Sequence, residues 1–238
     1  MLILPAIDLK DNKCVRLFKG DFSTVHQVSQ NILDVVDLFN RARAEYIHVV
    51  DLDGALDGKR KNQKSLELII KNAKAKIELG GGIRTLGDME QAFSIGVNRV
   101  VIGSAAVENP QIVEQAAKLF SGRIAVGIDA LDGDVKTSGW TQKSGIDYIE
   151  FAKQMESLGA QCIIFTDIDR DGMLSGPPID SLKKLKASVS CDIIASGGVS
   201  SIEDLQSIDN LGISGAIVGK ALYTGDIDIA GAIELLRA

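Results

Sequence analysis

Eight times along this chain of 238 residues, a short run rich in Val and Ile gives way to a stretch with apolar residues three and four apart. The runs are LILPAID (2–8), YIHVVD (46–51), KIELG (76–80), RVVIG (99–103), IAVGID (124–129), CIIFTD (162–167), DIIAS (192–196) and GAIVG (215–219). Helices are expected between them near 31–44, 63–73, 86–95, 109–120, 145–158, 179–187, 201–208 and 227–236, where apolar residues recur with helical period. Runs that are mostly apolar belong to strands buried on both faces, as in parallel sheets covered by helices. Eight strand–helix units in one chain predict a (β/α)8 TIM barrel. A doubly wound open sheet is the competing architecture. Its dinucleotide form carries G-x-G-x-x-G after the first strand, and PAIDLKDN stands there instead.

The chain also repeats itself. GGGIRTLGDMEQAFSIGVNRVVIGSAA (80–106) aligns without a gap on SGGVSSIEDLQSIDNLGISGAIVGKAL (196–222), an offset of 116. Gly81, Gly82, Asp88, Gly96 and Gly103 face Gly197, Gly198, Asp204, Gly212 and Gly219. VVDLDG (49–54) faces FTDIDR (165–170) at the same offset, and PAIDL (5–9) faces VGIDA (126–130) at an offset of 121. One barrel made of two homologous half-barrels, about 1–121 and 122–238, accounts for this. Closing the halves on each other removes the sheet edges that each would expose alone.

Composition narrows the function classes. A net charge of −6 argues against nucleic acid as a partner, because phosphate backbones call for a basic face. No apolar run is long enough to span a membrane, and MLILPAIDLKD lacks the basic flank and cleavage site of a signal peptide. A cytoplasmic protein is expected. The three cysteines, Cys14, Cys162 and Cys191, are odd in number and widely spaced, which argues against a disulfide framework or a zinc site. With only His26 and His48 available, acid–base chemistry is expected to fall to carboxylates.

The glycines at 81–82, 197–198, 103 and 219 follow strands three, seven, four and eight. They serve turns that need positive φ, or they let backbone amides approach phosphate in front of a helix N-terminus. On the second reading, loops three and four form one phosphate cradle and loops seven and eight another. The ligand is then a small molecule with a phosphate at each end. Ser104 and Lys220 stand beside the cradles as further binding candidates. Asp8 and Asp129 close apolar strands one and five. An unpaired buried carboxylate is costly, so each either caps neighbouring loops or faces the ligand, one as base and one as protonated acid.

Other motifs weigh less. DIDRDG (167–172) resembles the start of a calcium loop, but Pro178 occupies the position of the bidentate Glu. GKAL (219–222) lacks the first Gly and the Ser/Thr of a P-loop. KRKNQK (59–64) is either a solvated loop or a cover that helps hold a phosphate. Trp140, the only tryptophan, falls in a polar segment after strand five and is a candidate for stacking on a planar ring. Arg84 is a candidate partner for a phosphate or a carboxamide.

LPAIDLKDNKCVRLFKGDF, HVVDLDGA, ELGGGIRT, VIGSAAV, GIDA, SGW, FTDIDRDGMLSGP, ASGGVSS and VGKALY occur in order along almost the whole length. As an ordered set they resemble the histidine-biosynthesis isomerases that act on phosphoribosylformimino-5-aminoimidazole carboxamide ribotide. The resemblance implies a (β/α)8 fold, a substrate with two phosphates and an Amadori rearrangement of an aminoaldose to an aminoketose. It implies Asp8 as general base, Asp129 as general acid and Thr166 as the residue that positions the ribose. Arg84, Trp140 and Asp171 join the glycines as substrate-binding residues. No cofactor or metal is implied, and a monomer is expected. The sister family, the cyclase subunit of imidazole glycerol phosphate synthase, shares the echo and the paired aspartates. It characteristically has a lysine in the first loop, with which Lys19 is in keeping, but CVRLFKGDF and SGW resemble the isomerase. A dual-substrate isomerase that also takes phosphoribosylanthranilate is the other alternative. A bisphosphate sensor would have no use for both aspartates.

Overall fold

The computed structural model describes residues 1–18, 21–27, 29, 31–58 and 60–237, those at 16–18 and 21–27 by their backbone alone. Lys19 and Lys59 lie outside the described residues. The strands in chain order are β1 (Leu2–Lys10), β2 (Lys13–Phe18), β3 (Asp21–Gln27), β4 (Tyr46–Asp51), β5 (Lys76–Gly80) and β6 (Arg99–Ile102). They continue with β7 (Ile124–Leu131), β8 (Asp134–Thr137), β9 (Gln142–Asp147), β10 (Cys162–Asp167), β11 (Asp192–Ser196) and β12 (Gly215–Val218). β1, β4, β5, β6, β7, β10, β11 and β12 pair in that order, and β12 returns to β1. Every one of these pairings is parallel. The sheet is therefore closed into the eight-stranded (β/α)8 barrel that the alternation predicts.

Side-chain alternation sorts each barrel strand into an outer and an inner face. Ile3, Ile7, Ile47, Val49, Ile77, Leu79, Val126, Ile128, Ile163 and Ile193 join the large core between sheet and helices. Leu4, Ala6, Ala125, Cys162, Ile164, Ile194 and Ile217 form a smaller cluster inside the barrel. Burial on both faces is why the strands read as nearly continuous apolar runs.

The main helices are Ile32–Arg41, Gln63–Asn72, Leu86–Ser94, Gln111–Leu119, Tyr148–Ser157, Ile179–Ser188, Ile202–Asn210 and Ile229–Leu236. Each lies within a few residues of its expected place, and one start is corrected. The helix expected from 145 begins at Tyr148, because Asp147 caps it by accepting from Ile149 N at 2.9 Å and Glu150 N at 3.2 Å. Residues 142–147 belong to β9 instead. Two antiparallel hairpins were not expected: β2–β3 on β1, and β8–β9 on β7. Consequently β1 and β7 run two residues past Asp8 and Asp129, which do not end their strands. β1 and β7 are the first and fifth barrel strands, so the hairpins stand on opposite sides of the mouth.

Candidate active site

Three short helices absent from the expected set, Leu52–Asp57, Ser104–Glu108 and Lys220–Thr224, follow the second, fourth and eighth barrel strands. They narrow the C-terminal mouth, where βα loops build the sites of this architecture. A cavity of about 250 Å³ opens there, and all fourteen residues singled out from the sequence line it.

Asp8 and Asp129 enter this cavity from opposite barrel strands. Asp8 sits level with Val50 of β4 and Val15 of β2. Asp129 sits level with Thr166 of β10. The Trp140 indole N–H donates to Asp129 Oδ2 at 2.8 Å. Ser138, Gly139 and Trp140 all have positive φ, 53°, 62° and 72°, and this left-handed turn between β8 and β9 brings the indole back over the strand. Burial pushes the Asp129 carboxyl above the usual carboxylate range. Hydrogen bonds from Trp140 and Thr166, and the nearby His48, pull it down by less. The net direction favours a protonated acid, because removing water penalises the ionised form most.

The glycine pairs are needed by the backbone itself. A Cβ on Gly81, at φ 88°, would lie 2.1 Å from the Asp51 carbonyl oxygen, and one on Gly198, at φ 82°, 2.2 Å from that of Gly176. Gly103 differs, since a Cβ there would meet nothing within 4 Å. The helices behind the pairs are capped internally. Asp88 Oδ2 accepts from Arg84 N and Thr85 N at 3.0 and 2.8 Å. Asp204 Oδ2 accepts from Ser200 N and Ser201 N at 2.8 and 3.2 Å. These amides are therefore not open to an anion. Two of the short helices, Ser104–Glu108 and Lys220–Thr224, directly follow Gly103 and Gly219, neither of which supplies a side-chain cap.

The matching family model is that of the histidine biosynthesis proteins, over residues 2–228. The chain belongs to this family. Curated relatives include a protein of Clostridium botulinum (strain Langeland), 49% identical over 237 residues, covering 100% of this chain and 98% of its own. A relative from Thermoanaerobacter pseudethanolicus is 46% identical over 237 residues, with 100% of both chains covered. Both are named as a 1-(5-phosphoribosyl)-5-((5-phosphoribosylamino)methylideneamino)imidazole-4-carboxamide isomerase.

Within this family fold, several side chains of the site already have protein partners. Ser104 Oγ accepts from Ser138 N at 2.9 Å, which ties the start of the helix after the fourth barrel strand to the Trp140 turn. Lys220 Nζ donates to the Gly172 carbonyl at 2.9 Å, beside Asp171. The Arg84 guanidinium packs against Gly58. Described residues of the basic run 59–64 do not line the cavity. Arg60 bonds Gln91 at 3.2 Å, Lys61 pairs with Asp57, and Asn62 is buried. Asn62 Nδ2 bonds Asp51 Oδ1 at 2.6 Å and Asp53 Oδ2 at 2.9 Å, bracing the second loop. Cys162 and Cys191 are not nucleophile candidates, since burial pushes their thiols up to about 12 and about 11. Among the described residues no group of three or more His, Cys, Asp or Glu is placed to hold a metal.

The sequence reading missed His48. It lines the cavity floor and its Nδ1 lies 2.6 Å from Glu78 Oε1. Its signal was a polar residue within an otherwise apolar strand, whereas the aspartates were marked by closing theirs.

Proposed function

We propose that this chain is the isomerase of histidine biosynthesis that converts phosphoribosylformimino-5-aminoimidazole carboxamide ribotide from aminoaldose to aminoketose, with Asp129 as acid and Asp8 as base. The observation that carries the assignment of roles is the environment of Asp129, where burial favours the protonated carboxyl. Asp129 gives its proton to the ribose ring oxygen, and the ring opens to a Schiff base. Asp8 takes the proton from C2, leaving an enolamine that tautomerises to the ketose. Thr166, level with Asp129, holds the sugar in place for both steps. Trp140 leaves Asp129 to stack on the imidazole, and Arg84 swings from Gly58 toward the carboxamide or phosphate.

One phosphate rests at Gly81, Gly82, Gly103 and Ser104, the other at Gly197, Gly198, Gly219 and Lys220, with Asp171 beside the second. This assignment follows the cavity lining and the uncapped starts at Gly103 and Gly219. The reaction as written needs no metal or redox cofactor. No helix of the described residues is long and apolar enough to cross a membrane. We read the protein as a cytoplasmic monomer acting on a small molecule rather than nucleic acid, its barrel composed of homologous halves at 1–121 and 122–238.

The test is turnover of the aminoaldose by wild type, Asp8→Asn and Asp129→Asn, with product consumed by a separately supplied cyclase and ammonia. Each substitution removes one proton transfer and is expected to lower kcat by about 10²–10⁴-fold. Wild type that leaves the substrate unchanged, or an Asp8→Asn variant with full kcat, overturns the assignment.

A further inference from the structure

Beneath the first cradle, the barrel interior holds a layer of charge. Ala6, His48, Glu78 and Arg99 are level with one another on β1, β4, β5 and β6. Glu78 is fully buried. It receives His48 Nδ1 at 2.6 Å on one oxygen and Arg99 Nε at 2.5 Å on the other. The Arg99 guanidinium lies 4.7 Å from the centre of the Tyr46 ring.

The other side of the barrel has the same layer with no charge in it. Gly127, Ile164, Ile194 and Gly215 are level on β7, β10, β11 and β12. The echo matches these positions one for one: Ala6 with Gly127, His48 with Ile164, Glu78 with Ile194, Arg99 with Gly215. His48 and Ile164 both reach the cavity floor. The rim repeats itself closely, with φ of 88° and 74° at Gly81–Gly82 and of 90° and 82° at Gly197–Gly198. The backbone of these two glycine turns is therefore alike and does little to decide which end of a bisphosphate goes where.

We propose that His48, aimed by Glu78, sets the direction in which the substrate lies, by giving the floor a hydrogen-bonding group on one side and an apolar one on the other. The inference rests on the bisphosphate reading of the site. His48 Nδ1 is held by the buried carboxylate, so the opposite ring edge, Nε2, serves the ligand. A hydroxyl of the ligand's sugar portion is the partner it suits. Glu78 acts through His48 and is a positioning residue. Its retention inside the barrel needs such an account, because a buried ionic cluster is by itself weak evidence of stabilisation.

The experiment measures steady-state kinetics of wild type, His48→Ile, His48→Gln and Glu78→Gln on the aminoaldose, with thermal unfolding of each. His48→Ile makes the two halves of the floor alike. The reversed pose keeps both phosphates bound but presents the wrong group to Asp129. The expected signature is kcat lower by about 10²-fold with KM unchanged or lower, while unfolding stays cooperative. Glu78→Gln is expected to change in the same direction by less, and its effect to be lost on a His48→Ile background. His48→Gln keeps a polar group toward Glu78 and guards against misfolding of the isoleucine variant. Wild-type kcat and KM in both His48 variants, or a fall in kcat matched by a rise in KM and a lower unfolding temperature, overturn the inference. Wild type with no turnover overturns the proposed function, and this inference with it.

Discussion

At Asp129, removal from water shifts the balance between the ionised and the protonated carboxyl. Its burial raises the proton affinity of the folded state, and the Trp140 and Thr166 hydrogen bonds only partly offset that. The consequence for stability has a definite sign. A carboxyl whose folded pKa is raised favours the fold below the ordinary carboxylate pKa, and loses that advantage as pH rises through the folded value. At neutral and alkaline pH the ionised group is a burden. Asparagine keeps an oxygen for the Trp140 N–H and carries no charge. Asp129→Asn is therefore expected to unfold at a higher temperature than wild type at pH 8, with the gap closing toward pH 4. A gain of about 1 kcal/mol corresponds to about 2–4 °C at this chain length. Fluorescence of Trp140, the single tryptophan, reports both the transition and the local bond. A lower midpoint at pH 8 counts against the burial argument. The two aspartates were legible in the sequence as polar residues closing apolar runs. His48 was hidden, because a histidine within an apolar strand reads equally well as packing.

At the level of elements, the echo divides into parts with different duties. Thr85 with Asp88 and Ser201 with Asp204 form matching capping boxes, and Gly96 and Gly212 follow the matching helix ends at φ 107° and 69°. Asp88 and Gly96, with their counterparts Asp204 and Gly212, thus serve helix boundaries rather than a ligand. The glycine pairs serve the close approach of neighbouring loops. Asp204→Ala removes acceptors from Ser200 N, Ser201 N and the Ser200 hydroxyl. Losing a cap of this kind costs about 0.5–2 kcal/mol. Gly198→Ala adds backbone strain of about 1–3 kcal/mol at positive φ and drives a methyl group into the Gly176 carbonyl. The alanine at 198 is expected to lower the unfolding temperature further than the alanine at 204, and to raise KM by moving the sixth loop. The reverse order would mean that the loops relax freely. Strands and long helices were legible because their apolar residues recur with a period. The five-residue helices Ser104–Glu108 and Lys220–Thr224 are too short to establish one. β9 is largely exposed, so no apolar alternation marked it.

Over the whole molecule, closure of the barrel makes the interior a single packed column, and the layer level with His48 is apolar in one half and carries the His48–Glu78–Arg99 cluster in the other. Glu78 feels two opposing influences. Burial raises its pKa, but His48 and Arg99 together outweigh this and hold it below the usual carboxylate range. Its contribution to stability is therefore present above the ordinary carboxylate pKa, and is lost as pH falls through the lowered folded value. Removing the carboxylate alone leaves the half-buried Arg99 with no anion, and for a fully buried pair that type of change costs about 3–5 kcal/mol, an upper bound here. Replacing the whole cluster by apolar side chains of similar volume is often neutral or stabilising. Two midpoints in urea then separate electrostatics from packing. Glu78→Gln is expected to unfold well before wild type at pH 7, with the difference shrinking as pH drops below about 4, the ordinary carboxylate range. The triple variant His48→Ile, Glu78→Leu, Arg99→Met is expected to recover most of that loss and to remain without useful turnover. If it is no more stable than Glu78→Gln, the charged layer is a structural necessity of this barrel. Recovery of stability without activity would assign the cluster to the reaction, since the fold then stands without it.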